Sequence, residues 1–106
     1  MNKRKLHLID LKIQRIKKEL MDIGEMRPGS LTQQNRGTKK EGSYYQLSYT
    51  HQMTGRTEYV RPKFAGLVKQ QIATYKRFRK RVEEWIRLAI QHAQIKMDIA
   101  KKIDSG

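Results

Sequence analysis

Between Lys63 and Ile103 the chain contains no proline, and apolar residues recur at Phe64, Val68, Ile72, Tyr75, Val82, Ile86, Ala89, Ala93, Met97, Ala100 and Ile103. Steps of three, four and multiples of them are the mark of an amphipathic helix. A helix over that whole stretch would be ~60 Å long at 1.5 Å per residue. A chain of 106 residues cannot cover so long a stripe with one compact core. Either the helix breaks in the charge-dense segment from Lys76 to Glu84, or its far half packs on something else. The stripe continues past that segment, so the pattern predicts one long helix packed against another helix of the same chain and against a second copy.

A partner helix is legible at the start of the chain. Leu6, Ile9, Ile13, Ile16, Leu20 and Ile23 alternate steps of three and four, which predicts an amphipathic helix over 3–24. Gly24 follows the last apolar position, where a left-handed cap is favoured, and Pro28-Gly29 keeps the helix from resuming. Between 29 and 62 the period changes to two. Tyr45, Leu47 and Tyr49 fall on one face, with Met53 continuing it if the strand extends, and Tyr44, Gln46, Ser48 and Thr50 fall on the other. A turn at Thr54-Gly55 would lead into a second strand, Thr57 to Val60, which Pro62 ends because it cannot donate to a ladder. Residues 30–34 are a candidate third strand, and 35–42 form a polar loop bounded by Gly37 and Gly42. The fold class is therefore α+β: an N-terminal helix, a small antiparallel sheet and a long C-terminal helix, read as a single domain over 1–106.

The charge narrows the function. With 24 Lys and Arg against 10 Asp and Glu, the formal net charge is +14. More than half of the excess lies beyond residue 60, and its densest point is Lys76, Arg77, Arg79, Lys80 and Arg81. On a helix these five side chains cover most of the circumference, so several must project away from any core. A polyanion bound by such a band gains affinity by releasing counterions. The competing reading is a solvated helix face that keeps a small protein soluble. A second candidate surface is the hairpin, where Tyr44, Tyr45, Tyr49 and Tyr59 stand among Arg36, Lys39, Lys40, Arg56 and Arg61. Rings beside cations suit stacking on bases or entry into a groove. Tyr45 and Tyr49 on the apolar face read as core, which leaves Tyr44 as the better contact.

Catalytic and cofactor chemistry finds little support. There is no cysteine, so disulfides, thiolate metal sites and thiol nucleophiles are excluded. His7, His51 and His92 have no ligand-like spacing, and no glycine-rich phosphate loop precedes a helix. Glu83 and Glu84 are placed to pair with Arg79, Lys80 or Arg87 at helical spacing. A tyrosine nucleophile would need several fixed basic partners and a larger domain. Trp85, beside Ile86, reads as core or interface packing. No signal-peptide or spanning apolar run is present, and the basic first helix has no Trp or Phe on its apolar face to hold it on a membrane. The reading is a cytoplasmic, non-enzymatic protein without metal, cofactor or small-molecule substrate.

Four segments carry a resemblance: Met26-Arg27-Pro28-Gly29-Ser30-Leu31-Thr32, Gly42 to Thr50, Arg56 to Pro62, and Tyr75-Lys76-Arg77-Phe78-Arg79-Lys80. Together they resemble a small bacterial and archaeal family catalogued as a domain of unknown function, over roughly 26–95. The resemblance implies a helix, small sheet and long helix, and association with mobile elements; it supplies no catalytic residues. Members commonly carry a cysteine cluster between the first and second of these segments, where this chain has Asn35 to Gly42. No metal or thiol role therefore carries over.

Two functions follow as expectations. The first is binding of nucleic acid, DNA or RNA and DNA by the resemblance, with Lys76, Arg77, Arg79, Lys80 and Arg81 on phosphates and Arg56, Arg61, Tyr44, Lys39 and Lys40 as hairpin contacts. The alternative is a helical interaction or dimerisation module, in which 6–23 and 82–103 form a bundle and the charge recognises an acidic protein.

Overall fold

The computed structural model describes residues 2–34 and 44–105. The elements run α1 (Asn2–Met21), β1 (Ser30–Gln34), β2 (Tyr44–His51), β3 (Thr54–Val60) and α2 (Pro62–Ser105). This is the α+β order predicted from the two periods, with the third strand present. The polar loop, including Lys39 and Lys40, lies outside the described residues. The chain folds as two compact units: Met1–Ile23 with Phe78–Gly106, and Gly24–Arg77.

In the helical unit α1 runs antiparallel to the C-terminal part of α2. Glu19 meets Arg81 near one end, and Asn2 and Lys3 border a depression with Ile99 and Ile103 near the other. Ile9, Ile13 and Ile16 of α1 are buried with Leu88 of α2, and Leu20, Trp85 and Ile95 pack around them. Each such side chain contributes about 1.5–3 kcal/mol on burial. The contact face of α2 is not the stripe expected from sequence. Ile86 and Met97 are more than half exposed, as is Ile103, whereas Leu88 is 2% exposed. Leu88 lies about 160° around the helix from Ile86 at 100° per residue. This part of α2 carries apolar residues on two faces, and periodicity alone does not say which face α1 covers.

Gly24 does not cap α1 in the left-handed region, since Gly29 is the described glycine with positive φ. The helix closes instead by tight bonds: the Asp22 amide donates to the Glu19 carbonyl at 3.2 Å and the Ile23 amide to that of Leu20 at 3.3 Å. Such short-range bonds satisfy terminal carbonyls without a glycine.

The second unit is an antiparallel meander, in the order β1-β2-β3, against the N-terminal part of α2. Leu31 pairs with Leu47, and Tyr45 with Val60. Leu47, wholly buried, and Val60 pack on Val68 and Ile72, with Leu31, Tyr45 and Tyr49 around them. The expected inner face of β2 is therefore the one that meets the helix. The turn, however, is not at Thr54-Gly55. His51 pairs with Thr54, leaving a two-residue loop of Gln52 and Met53, with φ of 51° and 65°. Positive φ at both positions matches the twist of the flanking strands. Gln-Met lacks the Asn-Gly signature of such a turn, and Met53, expected to extend the buried face, is 98% exposed.

β3 ends at Val60, and Pro62, two residues on, is the first residue of α2, where its missing amide proton costs nothing. α2 then continues through Gly66 and through the cationic segment without interruption.

Candidate nucleic-acid interface

The cationic segment divides by the company its side chains keep. Arg81 is half-buried in the helical unit. Its Nε donates to Glu19 of α1, and its Nη1 donates to Glu84 Oε2 at 2.8 Å. The hydrogen bond it donates to Glu84 and then that to Glu19 hold its pKa above the usual arginine value. The sign is that of a base gaining partners: deprotonation of the arginine removes the stabilisation only at strongly alkaline pH. Arg79 Nη2 reaches Glu83 Oε1 at 3.5 Å across one turn, an exposed pair of the kind worth well under about 1 kcal/mol. Lys80 is exposed and makes no ion pair among the described residues. In the other unit, Lys76 and Arg77 are likewise exposed and without one. Of the five predicted phosphate contacts, the structure thus leaves Lys76, Arg77 and Lys80 uncommitted, makes Arg79 weakly paired and builds Arg81 into the packing.

The first helix adds to the helical unit's cations. Lys12 and Arg15 of α1 border one depression with Arg81 and Arg87 of α2, and Glu19 and Glu84 lie in it with them. Lys17 stands over the Trp85 ring, 5.4 Å from its centroid, so its ammonium is anchored near the α1 surface. Arg15 and Arg87 are not among the phosphate contacts expected from sequence, because they lie outside the dense run; only antiparallel packing brings them together. The same packing places His7, Asp10 and His92 around one depression, with Lys3 and Lys96. No group of three His, Asp or Glu among the described residues could hold a metal ion.

On the sheet, strand register decides which predicted contacts share a face. Tyr44 lies on the outer face with Gln46, and Tyr59 is directly across from Gln46. The Tyr44 and Tyr59 rings meet edge to face, 5.2 Å apart at 82°, and Tyr59 is largely exposed. The outer face thus carries a ring pair, and its more exposed member is Tyr59, whereas Tyr44, the contact expected from sequence, is half-buried. Arg56 is paired with Tyr49 and so belongs to the other face of the sheet, at its exposed end; Tyr44 and Arg56 are not brought together. Arg61 is exposed between β3 and α2. Tyr45 and Tyr49 line the core as expected, with Lys69 above the Tyr45 ring at 5.3 Å.

No helix among the described residues is long and apolar enough to cross a membrane. Comparison with protein-family models, with curated proteins and with solved structures gives no match.

Proposed function

We propose that the chain is a non-enzymatic nucleic-acid-binding protein. One observation carries this reading: in a chain of net charge +14, Lys76, Arg77 and Lys80 stand exposed without a carboxylate partner among the described residues. Among the described residues four carboxylates pair with arginines, at Arg27 (Glu58), Arg79 (Glu83) and Arg81 (Glu19 and Glu84). The free ammonium and guanidinium groups are what phosphates would neutralise, and the release of condensed counterions would drive binding. The exposed Tyr59 ring, with the half-buried Tyr44 ring edge-on to it, supports contact with unpaired bases, which stack on aromatic rings regardless of sequence. Association with mobile elements and a cytoplasmic location accompany this proposal as parts of the same reading.

Fluorescence anisotropy with duplex DNA, single-stranded DNA and RNA, each titrated over a range of salt, tests it. Binding at low salt that weakens linearly on a log-log plot is the expected result. Absence of binding to all three at low salt, or binding indifferent to salt, refutes it. Quenching of tyrosine fluorescence by single strands but not by duplex would assign the ring pair to base stacking.

A second reading, a helical interaction module, is favoured by a different observation: α2 exposes Ile86, Ile90 and Met97 on the face not covered by α1.

A further inference from the structure

The exposed apolar face of α2 has a spacing that the packing against α1 does not use. Ile86, Ile90, Ala93, Met97 and Ala100 follow one another at steps of four, three, four and three, the repeat of a two-helix seam. All five are exposed: Ile86 at 54%, Ile90 at 66% and Met97 at 52%, with Ala93 and Ala100 open beside them. Isolated exposed apolar residues need no explanation, but a contiguous row of them marks an interaction surface. The residues belong to one unit and one helix, so the row is defined without reference to the sheet.

The composition of the row selects its occupant. Continued at the same steps, the seam positions are Arg79 and Glu83 at one end and Asp104 at the other. In a parallel pair of copies each residue would face itself, so Arg79 would meet Arg79, Glu83 Glu83 and Asp104 Asp104, with Lys96 flanking the copy's Lys101. Like charges would then meet at both ends. In an antiparallel pair the register that keeps the apolar residues together sets Ile86 on the copy's Met97 and Ile90 on the copy's Ala93. It also sets Glu83 on the copy's Ala100, beside its Lys101, and Arg79 on the copy's Asp104. Ile90 then meets a small residue and Ile86 another apolar one, opposite charges meet at each end, and Val82 flanks the copy's exposed Ile103. Lys80 near the copy's Lys101 is the like-charged flank that remains. Moving one copy by a heptad either way buries a charge against an isoleucine or a methionine.

We propose that this face of α2 binds a second copy of the chain, antiparallel and about a two-fold axis. The contact is isologous, so it closes at two and leaves no sticky end. It does not depend on nucleic acid.

Sedimentation equilibrium of the intact, nuclease-treated protein at high salt tests the association. A dimer is expected, with Ile90→Gln weakening it about tenfold or more and Leu11→Gln, on an exposed apolar residue of α1, leaving it unchanged. Ile90 is exposed in the monomer, so circular dichroism should show the variant folded. A monomer at the highest attainable concentration, or equal effects of both variants, overturns the proposal. Orientation is read from disulfides, since the chain has no cysteine of its own. Mixing Glu83→Cys with Ala100→Cys should give the mixed disulfide; like-with-like disulfides mean a parallel pair and overturn it. In the antiparallel register two copies of position 83 lie ~25 Å apart along the axis, beyond the reach of a disulfide. Because nucleic acid is absent, failure here leaves the binding titrations untouched, and the reverse holds.

Discussion

Gly29 and Gly66 show how one substitution changes sign with its surroundings. Gly29 enters β1 at φ +136°, and a Cβ built there would lie 2.8 Å from Leu47 Cδ1 and 2.9 Å from the Ser48 carbonyl oxygen. The leucine tip could rotate, but the backbone oxygen belongs to the β1-β2 ladder and cannot. Gly29→Ala should therefore cost about 1–3 kcal/mol, from backbone strain and overpacking together, measurable as a lower midpoint in urea. At Gly66 nothing lies within 4 Å of a built Cβ, and the residue is an exposed position of α2. Gly66→Ala removes unfolded-state freedom without a steric charge against it. It should stabilise by about 0.5–1 kcal/mol, a higher midpoint in the same titration. The sequence marks Gly29 through its place after Pro28, as the point where no helix can resume, but gives no sign that its Cβ would strike Leu47 and Ser48.

At the scale of the element, the test falls on α2, where two apolar faces compete for the core. Leu88 is 2% exposed between Ile9, Ile13 and Ile16, whereas Leu11 on α1 is 49% exposed. Leu88→Ala should cost about 2–5 kcal/mol as a cavity-forming change. Leu11→Ala should stay within about 0.5 kcal/mol, as an exposed substitution does; thermal unfolding of the two variants side by side checks it. This contrast also marks the limit of periodicity. The face of α1 was legible because Ile9, Ile13 and Ile16 are its only apolar row of that density. So was the inner face of β2, because Tyr45, Leu47 and Tyr49 alternate with polar residues. In α2 the rows through Leu88 and through Ile86 both have helical spacing, and only the position of α1 chooses between them. The turn was missed for a similar reason: Gln52 and Met53 take positive φ because the pairing of His51 with Thr54 imposes it, not because their side chains ask for it. The candidate site was legible as charge and illegible as company. Lys76 and Arg81 look alike in a basic run, and only packing gives Arg81 the carboxylate of Glu19, 62 residues away.

For the whole molecule, +14 is a property any variant changes by small steps, so net charge alone cannot show which cations meet a polyanion. The excess is divided evenly between the two units, and each could contribute. The salt dependence of binding resolves this, because its slope counts phosphates neutralised rather than charges carried. Lys76→Gln, Arg77→Gln and Lys80→Gln together remove three cations that have no carboxylate partner among the described residues. If all three meet duplex phosphates, the log-log slope should become shallower by about 2–3, at roughly 0.9 per contact, with uniform weakening across sequences. Arg81→Gln removes a cation already enclosed by Glu19 and Glu84. It should leave the slope nearly unchanged while lowering the unfolding temperature, because two carboxylates lose their common partner. A triple variant with an unchanged slope would move the interface away from Lys76, Arg77 and Lys80 and toward the cations around Lys12, Arg15 and Arg87. A slope that falls with Arg81→Gln as steeply as with Lys80→Gln alone would show instead that the Glu19 and Glu84 pairs open on binding, and that packing does not decide which cations are available.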